Sequence, residues 1–145
     1  MLEQETKLTT EQTKEPSSKI HIHDGYWTVA SVKLDSLSLY VFGDNNIGKG
    51  RGGQAIIRNL PNTVGIPTKK YPNNYVSSFY TDEDYDDNIQ RINAAVDTII
   101  ERSVNYKRVI LPADGLGTGL AMLAQKASKT NEYLLQAIER LKISV

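Results

Sequence analysis

Cysteine is absent from the sequence, which excludes a disulfide framework, thiolate zinc sites and a cysteine nucleophile together. Long apolar runs are missing as well. Stretches such as Val109–Leu111 fall far short of the ~20 residues that span a bilayer. The amino-terminal residues lack the apolar core of a signal peptide, so the expectation is a cytoplasmic protein, in the host cytoplasm if viral. Neither charge sign is in excess, because 17 basic residues meet 17 acidic ones. No global field then favours a membrane or nucleic acid as partner. Histidine is scarce too: His21 and His23 are the two in the chain, too close to the amino terminus for a Ser/His/Asp triad. They alternate beside Asp24 and read as solvent-facing residues at a domain edge, so no metal is expected.

What is present suits one domain of the usual size. Residues Met1–Lys19 carry almost nothing apolar after Leu2. Such a segment buries too little surface to offset its ordering entropy and reads as a flexible tail. Residues 20–145 then form a single α/β domain. Tyr26–Val32 fits either an edge strand or a short helix. Leu39–Phe42, Thr63–Ile66 and Arg108–Pro112 read as short buried strands, each stopped by glycine or proline. Helices are expected over Gln54–Leu60, Asp82–Val104, Gly119–Lys126 and Ser128–Ile143. The second is the clearest, with Ile89, Ile92, Val96, Ile99 and Val104 on one face. Its acidic start, Asp82 to Asp87, reads as helix capping and solvation. Strands separated by helices favour parallel pairing, giving a three-layer fold with a mostly parallel or mixed sheet.

Two glycine loops follow strands in this reading. The first, Gly43-Asp44-Asn45-Asn46-Ile47-Gly48-Lys49-Gly50-Arg51-Gly52-Gly53, leads into the expected Gln54 helix. Glycines let backbone N–H groups approach a ligand, and a helix start adds unpaired donors. Between Gly43 and Lys70, Lys49, Arg51, Arg58, Lys69 and Lys70 face one acid, Asp44. That excess of cations in a neutral chain suits an anion. The second loop, Asp114-Gly115-Leu116-Gly117-Thr118-Gly119, can form a nest of N–H donors, with the Thr118 hydroxyl beside it. A bland alternative exists for each: a tight turn with solvated charges. Tyr71, Tyr75, Tyr80 and Tyr85 are open to two roles, stacking on a base or packing a loop onto the core.

Two known patterns do not fit. Gly43–Lys49 satisfies GxxxxGK, but Gly50 stands where a Walker A loop needs Ser or Thr for magnesium. Gly48–Gly53 satisfies GxGxxG, yet it lies beyond the strand end and no acid is placed for a ribose, so a dinucleotide-dependent dehydrogenase is not expected.

Leu39–Arg58 (LYVFGDNNIGKGRGGQAIIR), Val64–Lys69 (VGIPTK) and Leu111–Ala121 (LPADGLGTGLA) resemble a group of small uncharacterised bacterial and phage proteins with an FGDN…GGQA…GIPTK…DGxGTG signature. More distantly, the order of parts is similar to a macro domain, the module that binds ADP-ribose. That likeness implies Asn45 or Asn46 at the distal ribose and Gly50, Gly52 and Gly53 in a first phosphate loop. Gly115, Gly117, Thr118 and Gly119 would form a second. Gln54 stands where some hydrolytic macro domains have an acid, and Gln cannot be a general base.

The resulting expectation is a small-molecule nucleotide ligand, ADP-ribose or a relative, with no cofactor. Its binding residues would be Asp44, Asn45, Asn46, Gly50, Arg51, Gly52, Gly53, Gln54, Thr68, Lys69, Asp114, Gly115, Gly117, Thr118 and Gly119. One alternative is an ADP-ribosyl glycohydrolase or nucleotide phosphoesterase, with Asp44 or Asp114 as the catalytic acid or base. Another is a phage protein that sequesters a nucleotide immune signal.

Overall fold

The computed structural model describes residues 15–145. Four strands, β1 (Ile20–His23), β2 (Ser38–Asp44), β3 (Thr63–Pro67) and β4 (Arg108–Pro112), form one sheet in the order β1-β4-β2-β3. Every pairing is parallel, so the mixed alternative is not realised. The helices are α1 (Val29–Leu34), α2 (Tyr85–Ser103), α3 (Leu123–Lys126) and α4 (Ser128–Ser144), with short 3-10 turns at Gly53–Ile57, Val76–Ser78 and Asp82–Asp84.

Alternation along β2 divides the core. Leu39 and Val41 join Ile92, Val96 and Ile99 of α2 and Leu134 and Leu141 of α4. Tyr40 and Phe42 point the other way, onto Trp27, Val32 of α1 and Ala55 and Ile57 of the 3-10 turn. Parallel crossovers are almost always right-handed, so reversing direction across the sheet moves a connection to the opposite face. The chain steps one way from β1 to β2 to β3 and back from β3 to β4. Its connections divide between the faces accordingly.

Several sequence expectations are adjusted. The helix expected over Gln54–Leu60 is a 3-10 turn over Gly53–Ile57, and Asn59 beyond it has φ 77°. The helix expected from Gly119 begins only at Leu123, because Met122 before it takes left-handed angles (φ 47°, ψ 43°). The ambiguous Tyr26–Val32 segment becomes α1, whose start is fixed by a Thr28–Ser31 capping box. Val104 is exposed, and Ser103 takes the buried place at the end of α2. The acids before α2 divide their tasks. Asp82 accepts from Lys129 N–H and the Ser128 hydroxyl at the start of α4, while Asp84 pairs with Lys70 and Asp87 with Arg91.

Of the expected tail, residues 1–14 lie outside the described residues. Ser17 N–H donates to Lys142 O at 2.7 Å, and Lys19 Nζ reaches Ser103 O at 3.0 Å, a cation on the carboxyl end of α2.

A polar cluster ties the amino ends of β2 and β4. Asp35 accepts from Tyr40 OH (2.8 Å) and Arg108 Nη2 (3.2 Å), and Arg108 Nε donates to Ser38 Oγ (2.8 Å). Burial raises the Asp35 pKa, but hydrogen bonds from Ser38, Tyr40 and Arg108 together hold it below its ordinary 3.8. Burial first, then Asp35, pushes Tyr40 up to about 12. The folded carboxyl binds its proton less tightly than the unfolded one. Its stabilisation is therefore present above the ordinary Asp value and lost as pH falls below it. Urea titrations between pH 6 and 2 are expected to give a shallower acid loss of stability in Asp35→Asn than in the wild type.

Candidate functional site

Because the sheet is parallel, the segments after β2 and β4 leave from the same edge. The first runs to the 3-10 turn on one face and the second to α3 and α4 on the other. Adjacent strands whose connections diverge in this way open a crevice, the usual ligand position in open α/β sheets. Both glycine loops border it.

Loop 1, residues 45–52, is braced from within. The Asp44 carboxylate accepts from Asn45 N–H (2.7 Å) and Arg58 Nη2 (2.6 Å). Arg58 also donates to Gly50 O (2.7 Å) and Lys49 O (3.2 Å), so one guanidinium holds two loop carbonyls and the Asp44 carboxylate. Only 11% of its side chain and 16% of that of Asp44 are exposed. Asn45 uses its amide inside the loop, donating to Lys49 O and accepting from Ile47 and Lys49 N–H. The Asn46 side-chain oxygen accepts from Tyr80 OH, and Asn46 N–H donates to Lys69 O. Thr68 is buried, its N–H and hydroxyl both turned to Asp44 O. Gly50 (φ 91°) passes so close to Pro72 that a Cβ would lie 2.9 Å from it.

Loop 2, residues 113–122, is held by Gly115 N–H on Pro112 O, Leu123 N–H on Gly117 O and the Thr118 hydroxyl on Asp114 O. Gly117 (φ 75°) has Leu123 and Thr68 against it and leaves no room for a side chain. The Asp114 carboxylate is exposed and has no partner among the described residues.

Gln54, at the exit of loop 1, ties the end of β2 to loop 2. Its Oε1 accepts from Gly43 N–H at 2.8 Å, and its Nε2 donates to Gly115 O at 2.9 Å. Above this bridge the Leu120 side chain, part of a residue 63% exposed, lies over Gly52 and Gly53. Among the described residues, the N–H groups of Gly50, Arg51, Gly52, Gly53 and Gln54 have no protein acceptor. Nor do those from Leu116 through Ala121. Two runs of unpaired donors thus lie on one edge of the sheet.

Lys69 lies between them, 7% exposed. Its Nζ is 3.3 Å from Asn74 Oδ1, 3.5 Å from Leu120 O and 4.6 Å from the Phe79 ring centre, with Lys126 Nζ at 5.2 Å from the same ring. Neither lysine pairs with a carboxylate among the described residues. Burial lowers the Lys69 pKa.

These positions redistribute the expected roles. Asp44, Asn45, Asn46, Gln54 and Thr68 spend their side chains within the protein, as framework. Two of the five local cations, Arg58 and Lys70, are neutralised by Asp44 and Asp84. A helix start contributes little at Gly53, since only a five-residue 3-10 turn follows; the donors come from loop backbone. Tyr80 is buried and Tyr85 packs edge-on to Tyr133, whereas Tyr71 and Tyr75 stay exposed. His23 Nε2 donates to Tyr26 O, and the ring lies against Trp27. The contributions of Asn74, Phe79, Leu120 and Lys126 were not foreseen, and nothing local in the sequence signals them.

Fold and site together define a four-stranded, all-parallel α/β domain with two glycine loops where its connections diverge. Residues 22–137 match a family of unknown function, DUF7831, and the chain belongs to that family. No curated protein and no solved structure matches it. Among the described residues, no helix is long and apolar enough to cross a membrane.

Proposed function

We propose that the two loops bind a diphosphate-bearing nucleotide ligand, ADP-ribose or a relative, in the crevice between β2 and β4. The observation that carries this reading is the pair of unpaired N–H runs, Gly50–Gln54 and Leu116–Ala121, on adjacent strand ends. Oriented backbone amides make anion-binding concavities, and two of them suit two linked phosphates. Lys69, buried without a carboxylate beside it, supplies fixed positive charge, and Arg51 and Lys49 add exposed charge. The ligand reaches both runs at once by displacing the Leu120 side chain. The macro-domain likeness supports ADP-ribose as the first ligand to try. Of the two acids considered for hydrolysis, Asp114 keeps a free carboxylate and Asp44 does not.

Isothermal calorimetry with ADP-ribose and NAD tests the proposal, with chromatography of the incubated ligand to detect turnover. Saturable one-to-one binding is expected; no heat with either ligand overturns the reading. Product that disappears in Asp114→Ala would add hydrolysis to it.

Lys69→Met makes the reading sharper. Removing a lone buried charge removes its desolvation cost, so the variant is expected to be the more stable of the two at pH 7. The same change removes charge-assisted contacts and is expected to weaken ADP-ribose binding by about tenfold or more. The lysine's folded pKa lies below its ordinary 10.5, so its cost is fully present at neutral pH and shrinks as pH rises toward that value. Stability curves of the variant and wild type should therefore converge as pH rises toward 10.5.

A further inference from the structure

A cavity of about 650 Å³ lies on the other flank of loop 2, between the carboxyl ends of β1 and β4 and helix α4. Small-molecule sites typically enclose ~300–1,000 Å³. Its floor is buried Leu111, Leu116 and Leu134, and its walls include the half-exposed Ile22 and Leu135. We infer that this groove takes the base of the nucleotide, a purine, while the loops hold its diphosphate. The inference rests on the reading of the loops given above.

Continuity supports it first. Ala113, Gly115 and Leu116 line the groove and belong to loop 2. The unpaired amides begin at Leu116 itself. The crevice lies between β4 and β2 and the groove between β4 and β1, so one strand spacing of ~4.8 Å separates them. A nucleoside is long enough to cross that step. Chemistry supports it second. Apolar walls suit the faces of a base, and α4 places Gln136, Glu139 and Lys142 at the groove for its edge. Glu139 and Lys142 pair with each other at 3.2 Å, whereas the Gln136 side chain has no partner among the described residues. A glutamine amide offers the paired donor and acceptor that match the N6 and N7 positions of adenine. Tyr71 and Tyr75, the other aromatic candidates for a base, are 47% and 73% exposed.

Calorimetry or NMR titration with inorganic pyrophosphate and with ADP separates the two parts of the ligand. On the wild-type chain ADP is expected to bind at least tenfold tighter than pyrophosphate. Leu135→Glu and Ile22→Lys, both at exposed positions, should each cost ADP fivefold or more while leaving pyrophosphate affinity and the thermal midpoint unchanged. Tyr75→Ser should leave ADP binding as it is, and Gln136→Leu should narrow the preference for ADP over UDP. Pyrophosphate binding with no gain for ADP would overturn the groove and leave the loop reading standing. So would a gain lost in Tyr75→Ser but kept in Leu135→Glu. If neither probe binds, the loop reading fails and the groove inference goes with it.

Discussion

Alanine in place of Gly65 is expected to destabilise the domain by about 3 kcal/mol, at the upper end for an overpacked core position. Gly65 stands beside Phe42 in the β2–β3 register, and the Asp44 side chain leans across it. A Cβ there would lie 2.5 Å from Asp44 Oδ2 and 2.6 Å from Asp44 Cβ. The second contact is the decisive one, since a Cβ cannot swing aside as a side-chain tip can. Asp44 is also held by Arg58 and by Asn45 N–H, so relief must come from moving strand backbone. Urea unfolding at neutral pH measures the cost. A double-mutant cycle with Asp44→Gly checks the cause: Gly65→Ala should cost far less where the aspartate is gone. An equal cost in both backgrounds would place the strain elsewhere.

Arg58→Ala is expected to lose about 3 kcal/mol by a different route. The Asp44 carboxylate, mostly buried, would lose its cationic partner, and breaking such a pair from one side is the expensive case. The Lys49 and Gly50 carbonyls would lose their donor at the same time. Arg58→Lys keeps the charge but cannot fork to three oxygens, so it should recover only part of the loss. Asp44→Asn combined with Arg58→Met should recover more than either single change, because no unpaired charge remains. Since Arg58 fixes the path of loop 1, ADP-ribose affinity should fall in Arg58→Ala even under conditions where the chain stays folded. Unchanged affinity would mean that the loop 1 amides take no part in binding.

Local signals were enough for much of the fold. β2 and β4 were readable because both faces of each are covered, leaving continuous apolar runs that glycine or proline ends. The long helices were readable from residues such as Ile92, Val96 and Ile99, whose spacing needs no tertiary knowledge. Boundaries failed where backbone conformation was decided by distant packing. Asn59 and Met122 take positive φ, which nothing in their own neighbourhoods demands. Loop 2 consequently stays non-helical as far as Met122, and the unpaired amides from Leu116 to Ala121 owe their freedom to that. The site was legible as glycines and cations but not as a division of labour. Gln54 reaches across 61 residues to Gly115, and Lys69 across 51 to Leu120. Such partners are set by which strands become neighbours, and a single sequence does not state that order. Asp44 looked like a candidate for chemistry and serves as an anchor, because Arg58 fourteen residues on turns back to it.

Gln54, just after loop 1, joins the end of β2 to loop 2 by a single carboxamide, with one atom on each side. Loop 2 cannot lift from the end of β2, nor can the turn that follows loop 1, without stretching or releasing that group, so the two motions are mechanically linked. The Gly43 amide proton registers the linkage: it is shielded while the carboxamide stays engaged and exchanges with solvent once it lets go.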